Sequence, residues 1–179
     1  WRWGTPLATG TWYSGPYSSS SGTARIITRF IDFPPDPGAG FRYELRLRHR
    51  LRFDGNPIDA GSCMPSKSDG GVVWMQLQDG TLRRAGPPPT HPDVLDNEGA
   101  CEAIGEPNNP LYDPRTPQPA YTGITGDFVE TGFPLPPEVA GTVVRLVFEV
   151  GYDCGECWDT APMDAGWIID HVVVAAFPG

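Results

Sequence analysis

The stretch FRYELRLRHRLRF, residues 41–53, decides the fold. Phe41, Tyr43, Leu45, Leu47, His49, Leu51 and Phe53 fall on the odd positions, and Arg42, Glu44, Arg46, Arg48, Arg50 and Arg52 on the even ones. Successive side chains of a β-strand point to opposite faces, so this alternation sets one row against a core and the other in water. A helix, advancing about 100° per residue, would scatter the arginines around its circumference. The stretch predicts a half-buried strand in an antiparallel sheet with one solvated face.

The flanking sequence extends the same pattern. TARIITRFIDF (23–33) predicts a first strand, closed by Pro34-Pro35-Asp36-Pro37-Gly38. VVWMQL (72–77) predicts a strand turned by Asp79-Gly80 into Thr81–Arg84. FVETGFPL (128–135), TVVRLVFEV (142–150) and GWIIDHVVVAAF (166–177) follow, with Val144, Leu146, Phe148 and Val150 inward and Arg145 and Glu149 outward. No segment has the length and 3.6-residue period of an amphipathic helix. The expected fold is all-β, a jelly-roll-type antiparallel β-sandwich with long Gly/Pro-rich loops. One domain is expected over 1–179, with an irregular lead-in at 1–22 and a loop insertion at 86–118.

Composition agrees. The chain has 179 residues with 22 glycines and 21 prolines, close to a quarter of the total, yet 39% of its residues are hydrophobic. The apolar residues sit in the short alternating runs, and the glycine and proline sit between them. A net charge of −9 argues against nucleic acid, whose phosphates it would repel. The sequence contains no run of 18 apolar residues, so no membrane-spanning helix is expected.

Cys63, Cys101, Cys154 and Cys157 form an even set in a turn-rich chain, with three possible pairings. Cys63–Cys101 together with the local Cys154–Cys157 is the favoured one. Loop-closure entropy gives about 4 kcal/mol for the long link and about 2 kcal/mol for the short one. A zinc site would want two close-spaced cysteine pairs, and a redox pair would want a helix start. Disulfides, and with them an oxidising extracellular setting, are the expectation.

Several of these runs, in this order, resemble the secreted jelly-roll domains of immune inhibitor A-type metalloproteases, which are related to MAM domains. The carrying residues are WRWGTP (1–6), LRHRLRFDGN (47–56), SDGGVVWMQLQDG (68–80), PAYTGITGDFVETGFPLPPEVAGTVVRLVFEVGYD (119–153) and GWIIDHVVV (166–174). His171 stands where that pattern has a second Asp, and Arg2 where an acidic residue is common. The resemblance implies a calcium-bound, non-catalytic β-sandwich acting as an accessory or binding module. Calcium takes six to eight oxygen ligands. Asp54, Asn56, Asp59 and Asp69 in the loops flanking Cys63, and Asp170 in the closing motif, are the candidates. The plainer reading makes them carboxylates and an amide that cap backbone turns.

Ligand binding has two candidate surfaces. Arg46, Arg48 and Arg50, on the water-facing side of residues 42–52, suit anionic glycans or an acidic partner surface. The plainer reading is a solvated face balanced by Glu149 and Glu130 on neighbouring strands. Trp12, Tyr13 and Trp158 are loop aromatics that suit stacking on sugar rings and equally suit packing of the loops themselves, whereas Trp74 and Trp167 lie in strands and are expected in the core. Residues 93–113 and 149–170 each carry six acidic side chains and no Lys or Arg. His49 is expected to be a satisfied core residue, and His91 and His171 have no nucleophile motif beside them. The leading expectation is a non-catalytic extracellular module that binds a glycan or an extracellular protein surface, fastened by calcium and disulfides. The alternative is a structural subunit of an extracellular filament or surface assembly, self-pairing through its N-terminal segment or edge strands.

Overall fold

A computed structural model describes residues 2–3, 12–13, 22–36, 38–53, 70–86, 111, 120–122, 125–152 and 166–179. The described strands are β1 (Arg2–Trp3), β2 (Trp12–Tyr13), β3 (Gly22–Ile27), β4 (Ile31–Asp32), β5 (Phe41–Arg52), β6 (Gly70–Leu77), β7 (Leu82–Arg84), β8 (Val129–Pro134), β9 (Val143–Tyr152) and β10 (Gly166–Pro178). One 3-10 turn covers Pro137–Val139. Sheet A runs β1-β2-β10-β5-β8, and sheet B runs β3-β9-β6-β7 with β4 also on β9. Every pairing is antiparallel.

The two sheets pack face to face as a β-sandwich. Leu45, Leu47, His49, Leu51 and Phe53 of the β5 stretch meet Val73 and Met75 of β6 and Val144, Leu146, Phe148 and Val150 of β9 in the core. The β5 and β9 rows are those the alternation assigns to the inside. The hairpin between β6 and β7 turns at Asp79-Gly80. Gly80 sits at φ +90°, the left-handed region open to glycine, and Asp79 Oδ1 accepts the Thr81 N–H at 2.8 Å.

Two local expectations are corrected. The first strand does not run unbroken from 23 to 33. It leaves the ladder after Ile27 and rejoins at Ile31 opposite Val144. Thr28 bridges the gap, its N–H donating to Leu146 O and its Oγ1 accepting the Leu146 N–H, both at 3.0 Å. A side-chain oxygen thus replaces a backbone carbonyl, and Arg29 and Phe30 swing out. The N-terminal 22 residues, expected to be irregular, contribute β1 and β2 to sheet A, where Trp12 and Tyr13 pair with Ile169 and Ile168. Strands of two residues are too short to show a period.

Trp167 ties the layers together. Its indole crosses from β10 and lies on the backbone of Gly71 in β6, where a Cβ would come within 2.2 Å of the ring. Gly71 is held from its other side by reciprocal 2.8 Å hydrogen bonds with Tyr121. The Asp-Gly-Gly and Gly-Trp motifs, far apart in sequence, are two halves of one contact.

Candidate functional site

The alternation of β5 sends its arginines to the outer face of sheet A, and the strand register decides what each one meets. Arg48 lies opposite His171 on β10 and Glu130 on β8; Arg46 lies opposite Val173 and Gly132. Glu44 is the buried member of the row. It accepts Arg42 Nε at 3.1 Å on one oxygen and Arg46 Nε and Nη2 at 3.2 and 3.1 Å on the other. Desolvation alone would raise the pKa of this carboxyl, but the hydrogen bonds and charges of Arg42 and Arg46 outweigh it and hold the group below its usual range.

The guanidinium groups also rest on rings. Arg46 stacks 3.5 Å from the Phe177 ring centre, and Arg48 and Arg50 approach Phe128 at 4.9 and 5.8 Å. Between them runs a groove of about 370 Å³ bordered by Glu44, Arg46, Arg48, Glu130, Gly132 and His171. The side chains of Arg42, Arg46 and Arg48 remain about half exposed, at 48–52%. Sequence reasoning placed Arg46, Arg48 and Arg50 here. It missed Glu44 as the clamp on Arg42 and Arg46, and Phe128 and Phe177 as supports of the row, because none of these follows from the period of one strand.

Asp170 belongs to this face. The β5–β10 register slips between Ile169 and His171, so Asp170 is the extra residue of a bulge and its carboxylate pairs with Arg48. The charge for which a cation was invoked is met by a guanidinium. Among the described residues no three His, Cys, Asp or Glu side chains gather as a metal site. Asp54, Asn56, Asp59 and Asp69 lie outside the described residues, as do Trp158, His91 and all four cysteines. Trp12 and Tyr13 are placed in β2 by their backbone alone.

No protein-family model matches this chain, and no curated protein matches it.

Glu149, the other acid expected beside the ladder, lies in sheet B instead. It is buried on the outer face of that sheet and accepts Arg25 Nε at 2.6 Å and Trp74 Nε1 at 2.8 Å. Trp74 is therefore a half-buried outer residue rather than part of the main core, and Arg84 stands over its ring. Burial pushes the Arg84 guanidinium down to about 10, which leaves it charged at neutral pH.

His49 is fully buried in the core, as expected. Its Nδ1 accepts the Trp167 indole N–H at 3.2 Å, which places the ring proton on Nε2, 3.0 Å from Thr131 Oγ1. Tyr121 packs edge-on against the imidazole at 5.0 Å. Burial raises the pKa of its phenol, an effect the neighbouring Thr131 opposes only in part. The cluster is buried, and its hydrogen bonds tie β10, β5 and β8 of sheet A together on the core side.

Charge is unevenly placed along the chain. The ten described strands hold 5 of the 22 acidic side chains and 10 of the 13 basic ones, a balance of +5. The rest of the chain carries the other 17 acids and 3 bases, a balance of −14.

Proposed function

We propose that this chain is a non-catalytic extracellular β-sandwich module, of the jelly-roll type its sequence resembles, that binds a glycan through the outer face of sheet A. The observation that supports this reading is the arginine row, oriented by carboxylates and rings beside a groove of about 370 Å³. A guanidinium carries five N–H donors, and the pairs with Glu44 and Asp170 engage only some of them. Guanidinium donors set beside carboxylate acceptors on a pre-oriented face suit sugar hydroxyls and the sulfate or carboxylate groups of acidic glycans.

The extracellular setting rests on the four cysteines as disulfides. Calcium, in this reading, is a structural fastener of the loop at Asp54, Asn56, Asp59 and Asp69 without Asp170. The deciding experiment is a glycan array run on the full chain and on Arg46→Ala/Arg48→Ala, with and without chelator. The wild type is expected to retain acidic glycans and the double variant to lose them. Equal signals from the two, or none from the wild type, refute the arginine face. Capture of an acidic protein in place of any sugar would move the ligand class to a protein surface. A melting temperature unchanged by chelator removes calcium.

A further inference from the structure

Sheet A is narrower than sheet B along one side. Among the described residues β2 pairs with β10 at Ile168 and Ile169 alone, so from Val172 to Pro178 β10 has β5 on one flank and no described strand on the other. Sheet B continues on that side through β9 to β3 and β4. The overhang leaves a cleft of about 730 Å³ walled by Ile26 and Ile31, Leu146 and Phe148, and Val172 and Val174. Arg29, thrown out of the ladder after Thr28, stands at its rim.

Between the bulge at Asp170 and Pro178 this edge lacks the usual protection. Residues 172–177, Val-Val-Val-Ala-Ala-Phe, contain neither a charge nor a proline, the devices that ordinarily block an edge. What guards it is the overhang. A second sandwich pairing antiparallel with β10, edge to edge, would drive its own second layer into β3 and β4. A lone extended segment has no second layer and meets no such obstacle. Strands lie about 4.8 Å apart and facing sheets about 10 Å apart, so one strand beside β10 would lie over β3 and β4 and lower alternate side chains into the cleft. Arg29 is exposed and takes part in none of the ion pairs among the described residues, so it marks where an acidic residue of the guest would sit.

We propose that the free edge of β10 and the cleft beneath it form an acceptor slot for a single extended segment of another polypeptide, aliphatic at alternate positions and acidic where it passes Arg29. The slot completes sheet A by strand addition: main-chain hydrogen bonds supply affinity, and the cleft selects side chains. This deepens the assembly reading of the sequence and is independent of the arginine face, so failure of either leaves the other standing.

The test uses the full chain and two nine-residue synthetic peptides of alternating valine and threonine, one with a central glutamate and one with a central lysine. Amide hydrogen exchange across 171–177 is read together with fluorescence anisotropy of labelled peptide. The glutamate peptide is expected to slow exchange in 171–177 and to bind about three- to fivefold more tightly than the lysine peptide, the range of an exposed ion pair. Arg29→Glu is expected to reverse that order, and Val174→Lys to weaken both peptides about tenfold. Arg29→Glu lies outside the core and keeps the test valid if Val174→Lys does not fold. Absence of binding at about 1 mM peptide, or protection that falls outside 171–177, overturns the proposal. So does an order of affinity indifferent to residue 29. Laurate occupying the cleft while both peptides fail would make it a lipid site and equally refute the slot.

Discussion

Replacing Gly71 with alanine tests how the two layers are joined. The new Cβ would lie 2.2 and 2.5 Å from Trp167 Cε3 and Cζ3, well inside contact distance, so ring or backbone must yield. Neither has room. Gly71 is fixed by its paired bonds with Tyr121 and by its register with Val150 on β9. The indole is walled by Tyr121 at 4.7 Å, Phe148 at 6.0 Å and His49 at 6.1 Å between ring centres. Overpacking of this kind costs about 1–3 kcal/mol. Displacing the indole also strains its hydrogen bond to His49, worth about 1 kcal/mol. A loss of about 3 kcal/mol is expected, equivalent to a fall of about 6–12 °C in Tm for a chain of this size. Urea unfolding followed by far-UV circular dichroism should show a lower midpoint at unchanged slope. In a Trp167→Phe background the alanine should cost markedly less, because the two sites share one volume. A cost below about 1 kcal/mol for Gly71→Ala alone, or an equal cost in both backgrounds, would refute the contact as the inter-sheet lock.

Three further outcomes are expected. Thr131→Val removes the acceptor of the His49 Nε2–H and should cost about 1–3 kcal/mol in thermal or urea melts, while Thr131→Ser recovers most of it; equal losses would sink the assignment. Because the Glu44 pKa is lowered on folding, the stability it contributes is full above its ordinary value near 4.5 and is lost as pH falls through the lower folded value. Glu44→Gln should therefore flatten the acid limb of a Tm-against-pH profile, and parallel profiles would contradict the clamp. Intact-mass measurement after alkylation should find no modified cysteine until reductant is added; four labels without reductant would dismiss the disulfide and extracellular readings together.

The long strands were legible because each keeps one face in the core. In β5 and β9 alternation is sustained over ten or more residues, and their inward rows follow directly from it, whereas β10 is buried at every position from Gly166 to Ile169 and then shifted by the bulge at Asp170. The break at 28–30 was not legible, since Thr-Arg-Phe retains strand character and only a hydroxyl reaching Leu146 marks the departure. The arginine face was legible as a row and opaque as a network. Which carboxylate meets which guanidinium depends on register. A single bulge residue brings Asp170 to Arg48, and a change of sheet removes Glu149 to Arg25. The Tyr121–Gly71–Trp167 contact was likewise hidden, because its parts come from segments that only the packing of the two sheets brings together.

The uneven division of charge between the strands and the rest of the chain has a consequence for descent. The described strands are basic, and the acidity of the protein resides outside them. A relative that kept every described strand while exchanging the rest of its sequence would keep the sandwich and its arginine face yet shift its isoelectric point across neutrality. Overall acidity is therefore a poor marker of kinship for this fold. The paired pattern of Gly71 with Trp167, and of Arg48 with the extra residue at Asp170, is what such relatives would be expected to inherit.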